Sequence, residues 1–143
     1  MRQDDSTPAN TIASRPILTS TEAQLFVADV AVSCAFYRDK LGFTVAFIHG
    51  DPPFYAQVAR DRARLNLRHI DQPIFLPGIR EREGLLSATL TLASAAATSA
   101  IFSAYESAGV PFAQPLKKEE WGATTFIVKD PDGNLILFAG PAE

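Results

Sequence analysis

The chain has 143 residues, 47% of them hydrophobic and 20% charged, with a formal net charge of −3. That length fits one domain with a real core, and the mildly acidic balance leaves no electrostatic footprint for nucleic acid or an anionic membrane surface. With 1 cysteine and 2 histidines, an internal disulfide is impossible, and so is a four-ligand zinc site of Cys and His alone; a metal centre must lean on carboxylates.

Residues 1–21 are polar, with Pro8 and Pro16, and predict a flexible N-terminal arm in which Pro16-Ile17-Leu18 is able to add a short extended piece to a neighbour. Met1 to Asn10 lacks the apolar stretch of a secretory signal, so a soluble, cytoplasmic protein is the expectation. Structure is expected from Glu22. Ala23, Leu25 and Val27 alternate as in a strand, and Asp29 then caps a helix through Leu41 whose stripe is Val30, Cys34, Tyr37 and Leu41. Gly42 ends it. Phe43 to Ile48 reads as a strand, followed by a turn over His49 to Pro53. Tyr55 to Ala59 and Ala63 to His69 form a hairpin around Arg60-Asp61-Arg62.

Residues 71–85 read as a linker, with Pro73, Pro77 and a charged run from Arg80 to Glu83. Leu85 to Tyr105 carries no charge, but its period changes from two to helical near Ser94, so it reads as a buried strand running into a buried helix rather than a membrane span. Thus Leu86 to Leu92 is a strand, and Ser94 caps a helix over Ala95 to Ala108 that Gly109 ends. Val110 to Ala113 is a short edge strand. Trp121 to Val128 and Leu135 to Phe138 make a hairpin around Asp130-Pro131-Asp132-Gly133. Placing Val27 over Leu92 aligns two βαβββ units, about 22–70 and 86–140. An α+β domain over 22–143 is therefore expected.

These residues carry a likeness. Val27-x-Asp29-x3-Ser33-x2-Phe36-Tyr37-x3-Leu41-Gly42-Phe43, with a second unit ending in Asp130-Pro-Asp-Gly-Asn134, resembles the vicinal-oxygen-chelate superfamily of glyoxalases, bleomycin-resistance proteins and dioxygenases. The resemblance implies two tandem βαβββ modules curling into a cup-shaped mixed sheet, and a homodimer with composite pockets. Taken alone, Phe36-Tyr37 and Leu41-Gly42-Phe43 are packing and capping devices, and Asp130 to Gly133 is a turn.

Enzymes of that superfamily hold a divalent metal on four cup positions. Here those positions read Glu22, Asn66, Ser87 and Leu137, with Arg68 in place of Asn66 if the register slips by two. One carboxylate, one amide, one hydroxyl and one hydrocarbon do not make a catalytic site. His49 falls in a turn and His69 on the wrong strand face. Cys34 lies on an apolar helix stripe and reads as a buried thiol. No catalytic residue, metal or cofactor is therefore expected.

Strand parity instead predicts a ligand-binding cup in which Glu22, Gln24, Phe26, Arg64, Asn66, Arg68, Thr89, Trp121 and Leu137 contact an organic molecule. Arg64 and Arg68 favour an anionic or carbonyl-rich ligand, unless they pair with Glu22 or Asp51 or face solvent. Phe47 or Tyr55 joins Trp121 at the rim. The expected function is metal-independent binding that sequesters a small molecule, as in antibiotic-resistance proteins of the bleomycin type. The alternatives are a metal-dependent glyoxalase-type lyase, isomerase or dioxygenase, and a non-catalytic structural or regulatory module. Neither nucleic acid nor membrane is an expected partner.

Overall fold

The computed structural model describes residues 15–74, 76 and 78–143. Of the arm expected over 1–21, residues 1–14 lie outside the described residues, and 15–21 run as exposed chain without helix or strand. The first module is β1 (Ala23–Val27), α1 (Val30–Asp39), β2 (Thr44–His49), β3 (Tyr55–Arg60) and β4 (Ala63–His69). A short helix, α2 (Ile79–Glu83), precedes the second: β5 (Leu86–Thr91), α3 (Ala95–Ser107), β6 (Phe112–Lys118), β7 (Thr124–Lys129) and β8 (Leu135–Gly140).

Each module builds a four-stranded mixed sheet of the same pattern, β1-β4-β3-β2 and β5-β8-β7-β6. The strand before the helix pairs in parallel with the last strand, and the others are antiparallel. The α+β class and the two-module architecture are as expected, with the cup divided into two four-stranded halves. Because side chains alternate along a strand, Leu25, Val27, Ala56, Val58, Leu65 and Leu67 all point to one face of the first sheet and are buried. Phe126, Val128, Ile136 and Phe138 do the same in the second. These faces and the helix stripes merge into one core that joins Tyr37, Leu41 and Phe43 of the first module to Tyr105, Phe126 and Phe138 of the second. Each fully buried Leu or Val there stabilises the fold by about 1.5–3 kcal/mol.

The two long helices, α1 and α3, start where their side-chain caps allow. The Asp29 carboxylate accepts from the Val32 N–H at 3.1 Å, and the Ser94 hydroxyl accepts from the Ala97 N–H at 3.0 Å. Gly140 lets α3 lie directly on β8: a Cβ there would sit 2.5 Å from the Thr98 Oγ1 and 2.8 Å from the Ser94 carbonyl oxygen.

Several expected boundaries move. Helix α1 ends at Asp39 with Lys40 as its C-cap, since the reversal at Gly42 (φ 78°) needs Leu41 outside the helix, though Leu41 remains buried. The linker over 71–85 contains α2, five residues bracketed by left-handed Gly78 and Gly84. The edge strand is not Val110 to Ala113 but Phe112–Lys118. Val110 instead lies just beyond the Ala108 C-cap of α3, its N–H donating back to the Tyr105 carbonyl at 3.0 Å. Pro115 sits within this edge strand at its second register shift, between Gln114 and Lys117, where a missing N–H is tolerated. The following strand begins at Thr124, not Trp121, because Glu119 and Gly122 close a turn: the Glu119 N–H donates to Ala123 O at 2.7 Å and the Gly122 N–H to Glu119 O at 2.9 Å. The uncharged stretch 85–105 is divided between β5 and α3, and among the described residues no helix is long and apolar enough to cross a membrane.

Candidate functional site

The faces opposite the core are where the predicted ligand residues fall. In the first sheet Gln24 lies beside Asn66 and Phe26 beside Arg68 across the β1–β4 ladder, and Gln57 and Tyr55 follow on β3. The Gln57 side-chain amide donates to Asn66 Oδ1 at 2.9 Å, and the Tyr55 hydroxyl donates to Gln24 Oε1 at 3.5 Å. The Phe47 ring lies 5.9 Å from Tyr55 and 5.0 Å from His49. Gln57 and His49 belong to this face but were absent from the expected set. Gln57 was legible from its parity with Tyr55; His49 was not, because the β2 register shifts between Val45 and Phe47. Arg64 and Arg68 are exposed, as the solvent-facing alternative had it, and form no ion pair with the described residues, so the alternative pairing with Glu22 or Asp51 is not made.

In the second sheet Thr89 lies beside Leu137 across the β5–β8 ladder. A polar chain runs alongside. The Gln114 amide donates to Thr125 Oγ1 at 3.1 Å, and the Thr125 hydroxyl donates to Glu119 Oε2 at 2.8 Å. Strand alternation alone did not mark Gln114 or Glu119, since the irregular register of β6 decides where they stand. Trp121 is 70% exposed on the turn before β7. It forms no ring contact with the described aromatic residues. The structure therefore gathers Gln24, Phe26, Asn66 and Arg68 on one face and Thr89 with Leu137 on another.

The seam between modules is the third feature. Strands β1 and β5 are the edges of their sheets and approach each other without pairing. One end is closed by the turn after β7. The Asn134 amide donates to Phe26 O at 3.1 Å while its Oδ1 accepts from the Ser87 hydroxyl at 3.1 Å. Asp132 accepts from the Ala28 N–H at 2.8 Å. Buried Asp130 accepts from the Tyr37 hydroxyl at 2.9 Å and from the Asn134 N–H at 2.8 Å. Burial pushes the Asp130 carboxyl above its ordinary 3.8, against the lowering pull of Asn134, Tyr37 and Asp132. The same burial, with Asp130 beside it, drives the Tyr37 hydroxyl well above 10.0. At the other end the seam opens into a cavity of about 620 Å³ that borders Glu22, Arg64 and Thr89.

The donors at the four superfamily metal positions do not fit a divalent ion. Glu22 is exposed, and its carboxylate accepts from Ser20 at 3.0 Å. Asn66 Oδ1 is engaged by Gln57. Ser87 sits at the register shift of β5 and turns to Asn134. Leu137 offers no donor. His69 is held by Ala28 O and Asp71 at 2.8 and 2.9 Å, and no three His, Cys, Asp or Glu side chains cluster among the described residues. Cys34 is buried, and that burial pushes its thiol above 9.0, as befits a packing residue.

A two-module α+β fold whose sheets each carry a partly polar face opposite the core defines a class of small cup-forming proteins. The family model of the Glyoxalase/Bleomycin resistance protein/Dioxygenase superfamily matches residues 19–138, and the chain belongs to that superfamily. No curated protein matches it in sequence. Among solved structures it resembles a glyoxalase/bleomycin resistance protein/dioxygenase from Alicyclobacillus acidocaldarius, with TM-score 0.72 and 18% identity, covering 87% of this chain and 92% of that one. It also resembles the bleomycin-binding protein of Streptomyces verticillus complexed with copper(II)-bleomycin, with TM-score 0.66 and 21% identity over 89% and 99% of the two chains. Lactoylglutathione lyase from Agrobacterium tumefaciens matches with TM-score 0.67 and 18% identity over 90% and 97%. Likeness at these identities establishes the fold alone.

Proposed function

We propose that this protein is a metal-independent binding protein that sequesters an organic small molecule in a cup completed by a homodimer. The observation that carries the reading is the donor set itself. Where the superfamily's enzymes need metal ligands, this chain has an exposed Glu22, an Asn66 engaged with Gln57, a Ser87 turned to Asn134, and Leu137. Lewis-acid chemistry needs several oxygen or imidazole donors converging on one point. Ligand capture needs less: an apolar and aromatic wall with a few directed polar groups.

Gln24, Phe26, Asn66 and Arg68 supply those groups in the first module, with Arg64 at its edge, and Thr89 and Leu137 supply the wall of the second. The two exposed guanidinium groups favour a ligand bearing carbonyl or anionic oxygens, which planar N–H donors grip in pairs. Glu22 sits at the mouth and Trp121 on an exposed turn that a partner or ligand is able to cover. Pairing of two copies brings the face of one module against the other module of its neighbour, and fits the expectation of antibiotic-resistance proteins of the bleomycin type.

The test is a ligand screen by thermal shift on the full chain, using peptide antibiotics, aromatic metabolites and thiol adducts, with and without chelator. The expected result is a melting-temperature rise that chelator does not alter and that Arg68→Ala reduces. A rise abolished by chelator and restored by nickel or zinc would instead support the lyase or dioxygenase reading. No rise with any ligand would support a structural module.

A further inference from the structure

The open end of the seam adjoins the edge of the cup at Glu22, Arg64 and Thr89 and continues between the modules. Its cavity of about 620 Å³ has an apolar floor from the core-facing sides of both modules, including Leu65, Leu90, Leu92, Ile101 and Phe138. Its rim is the β3–β4 hairpin, which brings Arg60, Arg62 and Arg64 together with Asp61, and Glu22, just before β1, also lines it. Arg60 is committed: its Nη1 donates to Leu41 O at 2.7 Å and to the Tyr105 hydroxyl at 3.1 Å. Arg62 and Arg64 are exposed and make no hydrogen bond or ion pair with the described residues. Two free forks beside an apolar trough match one chemistry, an apolar body with an anionic head.

The closed end of the seam shows what is missing here. There the hairpin supplies its own carboxylates, Asp130 and Asp132, and these accept from Tyr37 and from the Ala28 N–H. The equivalent hairpin at the open end presents arginines in that place. We propose that this cleft binds an amphipathic organic carboxylate, its apolar body on Leu90, Leu92 and Ile101 and its head between Arg62 and Arg64. The three rim arginines, Arg60, Arg62 and Arg64, outnumber the two rim carboxylates, Asp61 and Glu22, so the head meets net positive charge. The site shares Glu22, Arg64 and Thr89 with the edge of the cup, while Arg62 and the apolar trough belong to it alone.

Isothermal titration of the full chain with decanoate, decan-1-ol and decyltrimethylammonium tests this. Decanoate is expected to bind once per chain, at least tenfold tighter than either of the others. Arg62→Glu, an exposed change that spares the fold, is expected to weaken decanoate at least tenfold. Ile101→Trp, which fills the trough, is expected to abolish binding while the circular dichroism spectrum holds; if that variant fails to fold, Arg62→Glu carries the test. Equal binding of decanoate and decan-1-ol, or an unchanged affinity in Arg62→Glu, would overturn the site. A loss produced by Arg68→Ala but not by Arg62→Glu would move decanoate to the cup and overturn it too, while leaving the cup reading intact.

Discussion

At one end of the seam the hairpin after β7 reaches into the first module through Asp130, Asp132 and Asn134. At the other, the hairpin after β3 stands back from the second module behind a cleft. In both, a helix tyrosine of one module meets a hairpin residue of the other: Tyr37 donates to Asp130 at 2.9 Å, and Arg60 donates to Tyr105 at 3.1 Å. The difference lies in side-chain length and sign. Short carboxylates accept backbone N–H groups only when the turn is drawn in close. Long guanidinium groups bridge from a distance and have no backbone donors to satisfy. A duplicated fold thus acquires one sealed joint and one open one from a few turn residues.

The sealed joint should break most easily at Asp130. Asp130→Ala strands the Tyr37 hydroxyl and the Asn134 and Asp132 N–H groups in a buried place, so a loss of about 2–3 kcal/mol is expected in urea denaturation. A loss no larger than that of an exposed alanine substitution would contradict the clasp. The tyrosines sharpen the contrast further. Tyr37→Phe removes a bond to a carboxylate and should cost about 1.5 kcal/mol. Tyr105→Phe should cost less, under about 1 kcal/mol, because Leu41 O keeps its bond from Arg60. The reverse order would mean that the open end carries more of the joint than its geometry implies.

Acid titration probes the same joint more gently. Asp130 has its folded pKa raised by burial above 3.8, so the folded state holds the proton better than the unfolded chain. Its contribution to stability is present below the unfolded value and is lost as pH rises through the folded one. An NMR titration should find its midpoint above that of a free aspartate; a midpoint below would show that the hydrogen bonds outweigh desolvation. His69 beside the joint gives the smallest effect. The hydrogen bond to Asp71, then that to Ala28 O, raises its pKa above 6.5, and when protonated both ring nitrogens donate. That stabilisation is full below 6.5 and is lost as pH rises through the folded pKa. Asp71→Asn should lower the His69 midpoint in an NMR titration, and an unmoved midpoint would remove the pair.

Much of this was legible in the sequence. Period-two alternation in Gln24, Phe26, Asn66 and Arg68 placed them on the face opposite the core, since a slip by one residue would have buried the Gln24 amide in β1 and the Arg68 charge in β4. Asp29, Ser94, Gly42 and Gly109 marked the helix ends through capping chemistry that is local. What alternation did not reach was tertiary. Asp130 to Asn134 reads as a turn from its own residues, yet its acceptors are filled by Ala28 and Tyr37, about a hundred positions earlier. Gln114, Glu119 and Trp121 depend on an edge strand whose register shifts twice, so neighbouring residues do not alternate faces regularly. The cleft was illegible because it arises from where two modules fail to meet.

Glu22, Asn66, Ser87 and Leu137 do not converge into a metal site, and metal titration tests that most directly. Purified chain, stripped with chelator and titrated with nickel, zinc, manganese and ferrous iron, should show no saturable binding, and Glu22→Gln should change nothing. One ion bound per chain, with binding lost in Glu22→Gln, would contradict it.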